Sequence, residues 1–467
     1  MPLSSSLKHR PSLFEFIDKA LLKSLISVAI PVTVQTVLFS SKGVIDVIML
    51  GQLTEFDVAA AGIASKILFV LTIILSGIAT GGAMLAAQHF GANDENGIKR
   101  SIGLTWFVSS LVILVTLLLL FYFAPFIVQL ASQESDIIAL AKTYLHYAAP
   151  SLFFMAYQSS IAAGLRSIHQ ASTATVFSAI GIALNIAFNW VLIFGLFGLP
   201  ALGVKGAAIG TTLAAICETI LLLLYLKFRR HLLDLNLYEV ITSLDIKQLK
   251  HFGQLTIPTS CNFLLWALGV FTYTAIMGST STQGLVVLTI ISPIEAFSLS
   301  FLTGIANASA VVVGNNLGAK DYHRAYYQSI FFVLIALACN ALVALLLYWN
   351  MTNILPWFSA LSPDTIELAQ SFYLILCFGI VVRSLPTIMV VGVLRSGGDV
   401  KFCLYQDLLT QWLFGIPIAA ICAIWLKLPP DIIFIVFFLE AVFKWISCLY
   451  RFKSKKWMNN LLSESKL

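Results

Sequence analysis

The sequence predicts an all-α polytopic membrane protein: twelve transmembrane helices in two six-helix lobes, related by a pseudo-twofold axis along the membrane normal. Three observations predict it. Hydrophobic residues make up 59% of the 467 positions and charged residues only 11%, against about 25% charged in a soluble domain. Twelve apolar runs are long enough to cross about 30 Å of hydrocarbon. The second half of the chain repeats landmarks of the first at an almost constant spacing.

The runs fall at 24–50, 58–89, 101–128, 137–166, 170–197 and 203–230, then at 248–278, 283–316, 324–353, 363–394, 401–426 and 430–451. About 20 residues span the hydrocarbon, so the longer runs predict tilted or protruding helices. The chain divides into an N-terminal segment 1–23, a first lobe 24–230, a linker 231–247, a second lobe 248–451 and a tail 452–467.

Ile30-Pro31 recurs as Ile257-Pro258, an offset of 258 − 31 = 227. Gly51 and Gly278 keep that offset, as do Gly77-Ile78-Ala79 with Gly304-Ile305-Ala306, and Gly91, Ala92 and Asp94 with Gly318, Ala319 and Asp321. Leu165-Arg166-Ser167 matches Leu394-Arg395-Ser396 at 229. Six spans per half is an even number, so both halves enter the membrane from one side and are parallel repeats.

Lysine and arginine set the orientation. With the N-terminus inside, the inner segments collect Lys8, Arg10, Lys19, Lys23, Lys99, Arg100, Arg166, Lys227, Arg229, Arg230, Lys247, Lys250, Lys320, Arg324, Arg395, Lys401, Arg451, Lys453, Lys455, Lys456 and Lys466, which is 21 of 28 basic residues. The outer loops keep Lys142, Lys205 and Lys427 and carry Glu55, Asp57, Glu134, Asp136, Asp364 and Glu367. Both termini are expected in the cytoplasm of a bacterial inner membrane. The net charge of +6 is spread over seven segments, so it reads as a topology signal and argues against nucleic-acid binding.

No cleavable signal peptide is expected, because the first 23 residues lack an apolar run followed by a small-residue site. The seven cysteines lie in apolar runs without metal-ligand spacing and read as buried small apolar side chains. No HExxH, phosphate-binding loop or GxSxG occurs. An enzyme is therefore not expected, nor a cofactor. Without a nucleotide-binding module, energy must come from an ion gradient or a partner.

Ionisable residues within the spans are expensive and call for a reason, at about 2.5–3.5 kcal/mol each on insertion scales. Asp46 is the leading one. It lies five residues before Gly51, about 8 Å from the outer end of the first helix. Asn185 and Asn189 stand one turn apart in the outer half of the fifth span, and Thr211 sits eight residues into the sixth. Carboxylate, amide and hydroxyl oxygens at one depth suit H+ or Na+, or else interhelical hydrogen bonding. Lys42, at i−4 from Asp46, either bridges it or meets substrate. Glu295 and Arg383 either line the cavity of the second half or pair with each other. Glu440 and Lys444, also at i, i+4, read as a structural pair. Pro31 permits a bend in the helix that carries Asp46, a hinge or a static kink.

Taken together, these residues resemble the multidrug and toxic compound extrusion (MATE) family over nearly the whole chain. The resemblance rests on Ile30-Pro31 with Val44 to Gly51, on Gln88-His89-Phe90-Gly91-Ala92 and on Gly164-Leu165-Arg166. It also rests on Asn185 to Gly195 with Gly203 to Ala208, and on Gly392 to Asp399. It implies two six-helix lobes and cation-coupled antiport of bulky organic compounds through a central cleft; a monomer surrounded by lipid is expected. It also implies a cation or proton site at Asp46, Asn185 and Asn189, with Thr211 beside them; no other metal is implied. Gln35, Lys42, Glu295 and Arg383 are substrate-cleft or coupling candidates. Many members carry acidic residues on the seventh and tenth helices where this chain has Trp266 and Ser384, so a second-lobe cation site does not carry over. Lys42 and Arg383 raise anionic or neutral substrates, such as a natural product. The alternative reading is a lipid-linked saccharide flippase of the related superfamily.

Overall fold

The computed structural model describes residues 13–129, 133–236, 240, 245–354 and 362–464. Lys8, Arg10 and Lys466 lie outside them, as do residues 237–239 and 241–244 of the expected linker. Thirteen principal helices follow along the described residues. They are α1 (Lys19–Leu50), α2 (Glu55–Gly91), α3 (Glu95–Gln129), α4 (Ser135–Ala148), α5 (Ser151–Ser167), α6 (Ala171–Phe194), α7 (Gly203–Phe228), α8 (Ile246–Thr280), α9 (Thr282–Gly318), α10 (Tyr322–Ile354), α11 (Pro363–Gly397), α12 (Val400–Trp425) and α13 (Pro430–Lys453). Among the described residues, 11 are long and apolar enough to cross a membrane alone.

The run expected as one helix over 137–166 is instead two, α4 and α5, which together supply the twelfth span. The break falls at Ala149-Pro150. Proline has no N–H to continue the ladder but is suited to the start of a helix, and Phe153 N donates to Pro150 O (3.1 Å). Further on, α11 and α12 widen into π-helical turns at Ile388–Leu394, Leu408–Gly415 and Ile421–Trp425.

The repeat corresponds to repeated local geometry. After α2, Ala92 N donates to Gln88 O (3.0 Å), Asp94 N donates to His89 O (2.9 Å) and Asn93 takes a φ of 56°. After α9, Ala319 N donates to Asn315 O (2.9 Å), Asp321 N donates to Asn316 O (2.9 Å) and Lys320 takes a φ of 63°. Asp94 and Asp321 then cap the following helices by accepting from Gly97 N (2.9 Å) and Arg324 N (3.0 Å). Such caps satisfy backbone donors that a helix start leaves orphaned.

The halves meet through a self-complementary contact. Helix α1 packs on α9, and its counterpart α8 packs on α2. Gly91 abuts the Asn315 backbone while Gly318 abuts that of Gln88, and Gly304 faces Ala29 and Thr33 while Gly77 faces Ser260. These pairs interchange under the 227 offset, as an isologous twofold interface requires. Glycine is needed there because a β-carbon would collide with the opposite helix. On the outside, Leu118, Phe121, Phe126, Leu342, Trp349 and Ile446 are exposed, which in a membrane protein means facing lipid. Cys261, expected to be buried, is exposed as well, whereas Cys377, Cys403 and Cys448 are buried.

The described part of the tail, 452–464, folds back onto the junction of the halves. Trp457 is fully buried. Leu461 N donates to Gln88 Oε1 (2.7 Å), and Gln88 Nε2 donates to Ser396 O (2.9 Å) and Asn459 O (3.1 Å). Asn460 Nδ2 donates to Leu317 O (2.9 Å) and Gly318 O (3.2 Å).

Candidate functional site

Three helices position the first constellation. Helix α6 packs closely on α7 because Gly206 and Gly210, one turn apart, leave room for the α6 backbone at Leu192 and Phe188. A β-carbon at Gly210 would also strike Asn189 Oδ1. Close approach of small residues is how helices pack without a hydrophobic drive in lipid. Helix α1 then packs on α6 and brings Asp46 to the asparagines.

The sequence-predicted residues Asp46, Asn185, Asn189 and Thr211 are brought together. Asn189 Nδ2 donates to Asp46 Oδ1 (3.0 Å) and to Asn185 Oδ1 (3.3 Å). Asn185 Nδ2 donates to Thr211 Oγ1 (3.2 Å), which itself donates to Ala207 O (3.0 Å). Both asparagines are 2% exposed. Lys42 Nζ lies 3.6 Å from Asp46 Oδ2. Asn189 Oδ1 is buried without a donor. A buried acceptor left unpaired costs about 1–3 kcal/mol, so this oxygen is available to a cation or to the donor that accompanies one.

A cavity of about 300 Å³ adjoins the constellation within the first half of the chain. Gln35, Lys42, Gln158, Arg166, Ser178, Asn185, Thr211 and Glu218 line it with apolar neighbours such as Phe39, Met155 and Phe177. Gln35 Nε2 donates to Ser178 Oγ (2.7 Å). Pro31 sits within an unbroken α1, and its carbonyl accepts from Thr175 Oγ1 (2.9 Å), tying the proline turn to α6.

Glu295 and Arg383 are brought to each other across α9 and α11 and form an ion pair, with Arg383 stacked over Phe438. They stand in the other half, apart from Asp46. Glu440 and Lys444 belong to a larger network than the expected pair. Lys444 Nζ lies 2.9 Å from Asp407 Oδ1 and 3.5 Å from Glu440 Oε1. Tyr273 Oη donates to Glu440 Oε2 (2.8 Å), Asn262 Nδ2 donates to Asp407 Oδ2 (2.7 Å), and Arg395 donates to Asn262 Oδ1. Two carboxylates are thus matched by two cations in a buried, internally neutral chain. At the predicted departures, Ser384 is buried and accepts from Asn340 Nδ2 (2.8 Å), whereas Trp266 is exposed.

Sequence reasoning gave no role to Tyr144 and Glu218. The Tyr144 hydroxyl, from α4, reaches Ser65 and Thr211 and stands in the field of Asp46. Glu218 faces the cavity. The available signal for Glu218 was an acidic residue inside an apolar span.

The fold and the site define the class: a multi-pass membrane transporter. The comparisons give the family. The MatE family model matches residues 31–191 and 258–421, the two repeats. The uncharacterized transporter YisQ of Bacillus subtilis is 27% identical over 443 residues, covering 93% of this chain and 95% of YisQ. A probable multidrug resistance protein NorM of Mannheimia succiniciproducens is 25% identical over 412 residues, 85% of each chain. A solved outward-facing multidrug resistance MATE family transporter shares the fold with a TM-score of 0.85 at 16% identity, covering 96% of this chain and 98% of that one. The chain belongs to the MatE family and is a transporter, not an enzyme.

Proposed function

We propose that the chain is a secondary active exporter, an antiporter that couples inward movement of H+ or Na+ to efflux of a bulky organic compound by alternating access. The observation that carries this reading is the Asp46–Asn189–Asn185–Thr211 constellation beside a polar cavity. A carboxylate at membrane depth has three routes to stability: a proton, a cation or a neighbouring ammonium. Here the ammonium is Lys42 at 3.6 Å, and the orphaned Asn189 Oδ1 supplies an oxygen that an entering ion would use. One charge crossing the membrane is worth about 2.3 kcal/mol per 100 mV, enough to bias a two-state cleft strongly. Antiport then requires the ion and the organic compound to favour opposite states.

The lysine and arginine asymmetry supports cytoplasmic termini and, with bacterial relatives, the inner membrane. It places the face where Gln88, Gly318 and the tail interlock on the cytoplasmic side. Both lobes lie on one chain, so a monomer suffices. The residue ranges 24–230 and 248–451 are the lobes of this reading, 231–247 its linker.

The test is transport of rhodamine 6G in proteoliposomes under separately imposed ΔpH and Na+ gradients. One gradient should drive wild-type export. Asp46→Asn, which mimics the protonated carboxylate, should reduce gradient-driven export to the level of protein-free vesicles. Full export by Asp46→Asn overturns the reading and moves the ion site to Glu295.

A further inference from the structure

Glu218 stands in the cavity without a hydrogen bond or ion pair among the described residues, and Lys42 lines the same cavity. It lies seven residues beyond Thr211 on α7, so about 10 Å along the helix from that end of the ion site. Gly181 of α6 faces it, and a β-carbon there would collide with the carboxylate. Gly181 lies one turn before Asn185, and Lys42 lies one turn before Asp46 on a helix running the same way. Asn189 bonds Asp46 and Ser178 bonds Gln35, so Lys42 is level with Asn185, and Gly181 and Glu218 lie about one turn further along the same cavity. One ammonium thus lies between two carboxylates, Asp46 on one side along the cavity and Glu218 on the other.

We propose that Lys42 is a tethered cation shared between Asp46 and Glu218, and that Glu218 is the carboxylate that receives organic cations in this cavity. The proposal rests on the reading that Asp46 takes the coupling ion. With Asp46 ionised, Lys42 stays on it, as the 3.6 Å separation records, and Glu218 is left to pair with an amine, guanidinium or quaternary ammonium. When a proton or Na+ neutralises Asp46, Lys42 loses its counter-charge. Its flexible four-carbon stem carries a compact point charge, and the carboxylate that lines its cavity is Glu218. Lys42 moves there and displaces the organic cation. One positive charge enters at Asp46, one shifts from Asp46 to Glu218, and one leaves with the substrate, so the buried charge is constant throughout. Ion and substrate exclude each other without touching.

The groups on Asp46 are Lys42 on its own helix and Asn189 on α6, with the Tyr144 hydroxyl of α4 nearby; Lys42 lines the cavity with Glu218. Arg166 lines the same cavity. Neither Tyr144 nor Asn189 carries a positive charge, so Lys42 is the group whose position reports the load on Asp46. The relay also assigns the lysine, which at first sight disfavours cationic substrates, a part in handling them.

The experiment is equilibrium binding of rhodamine 6G to the full-length chain in lipid nanodiscs, read by fluorescence anisotropy at alkaline and acidic pH, with and without Na+. The wild type should bind at alkaline pH without Na+ and lose about tenfold or more of its affinity when acid or Na+ loads Asp46, a fold-change in the range of losing a buried charge partner. Glu218→Gln should bind weakly in every condition, whereas Glu218→Asp, which keeps the charge, should bind near the wild-type level. Asp46→Asn should also bind weakly throughout, because its Lys42 has moved to Glu218, and adding Lys42→Gln should restore binding. Lys42→Gln alone should bind without responding to the ion. Wild-type affinity in Glu218→Gln, weak binding in both Glu218 variants, no rescue by Lys42→Gln, or no saturable binding to the wild type overturns the proposal. If Asp46→Asn still exports along a gradient, the coupling reading fails and takes the relay with it. If Asp46→Asn abolishes export but Lys42→Gln keeps the full ion response of dye binding, the relay alone fails.

Discussion

Asp46 and Arg383 are both charges placed at membrane depth, and they are compensated differently. Asp46 is held by a lysine at 3.6 Å and one hydrogen bond from the Asn189 amide, an arrangement loose enough to exchange partners. Arg383 makes a direct ion pair with Glu295 and lies over the Phe438 ring, an arrangement that fixes α9 to α11. Removing one partner of a buried pair strands the other charge and costs about 3–5 kcal/mol, whereas replacing both with apolar groups is often neutral. The two side chains here are 26% and 18% exposed, so Arg383→Met should destabilise the protein by somewhat less, about 2–3 kcal/mol. Thermal unfolding in detergent measures this, and Arg383→Met/Glu295→Met should recover most of the loss. A double variant no more stable than the single one would show that the pair is not what holds these residues. Asp46, Asn185, Asn189 and Thr211 were legible in the sequence because helix rise fixes depth and the i, i+4 spacing fixes a common face. Glu218 and Tyr144 were not. Their roles depend on the rotation of α7 and α4 about their axes, which neighbours decide, and the gap opposite Glu218 exists only once Gly181 has packed against it.

At the scale of elements, the turns joining α2 to α3 and α9 to α10 are one motif used twice. The first is held by Asp94, whose Oδ1 accepts from Gly97 N (2.9 Å) and whose Oδ2 lies 2.9 Å from His89 Nδ1. Partial burial opposes ionisation of Asp94, but the Gly97 N–H, His89 and the Arg100 charge outweigh it and hold the carboxyl below its ordinary range. A carboxyl whose folded value is depressed stabilises the fold fully above its unfolded value, about 4, and this contribution is lost as pH falls through the folded value. Asp94→Ala should therefore cost about 1 kcal/mol at neutral pH, the usual worth of a cap, and the difference from wild type should shrink on acidification below pH about 4. Melting curves of the two proteins across pH test this, and a gap that widens in acid would refute it. The repeat of Asp94 at Asp321 was visible as letters in the sequence, and the hydrogen-bonded turn explains why those letters recur. The division of the fourth span at Pro150 was not visible, because averaged hydropathy passes over a two-residue interruption while proline chemistry does not.

At the scale of the whole molecule, the two halves are locked at the face where Gly91 meets Asn315 and Gly318 meets Gln88, and the tail is a third body in that lock. Gln88, from the first half, is bonded at once to Asn459, to Leu461 and to Ser396, while Asn460 holds Leu317 and Gly318 of the second half. The proposed alternating access would require this face to part, and every one of these tail bonds that spans the junction would then break. Hydropathy marked the tail only as a polar end after the last span; its role follows from Trp457 entering the core beside Phe452, which anchors the chain so that Asn459, Asn460 and Leu461 fall on the junction. Net worths of about 0.5–1.5 kcal/mol per hydrogen bond give the two tail bonds to Gln88 a leverage of about 1–3 kcal/mol on the equilibrium, and about 1.4 kcal/mol is already tenfold. A chain ending at Lys456 should therefore shift toward the conformation parted at this face. Spin labels at Asn93 and Lys320, both exposed and related by the 227 offset, report it directly. The full chain should give a single short distance between labels, and the truncated chain an added longer population, larger in lipid nanodiscs loaded with substrate dye than without. Identical distance distributions in the two chains would mean that the glycine contacts alone hold the face shut and that the tail merely rests on it.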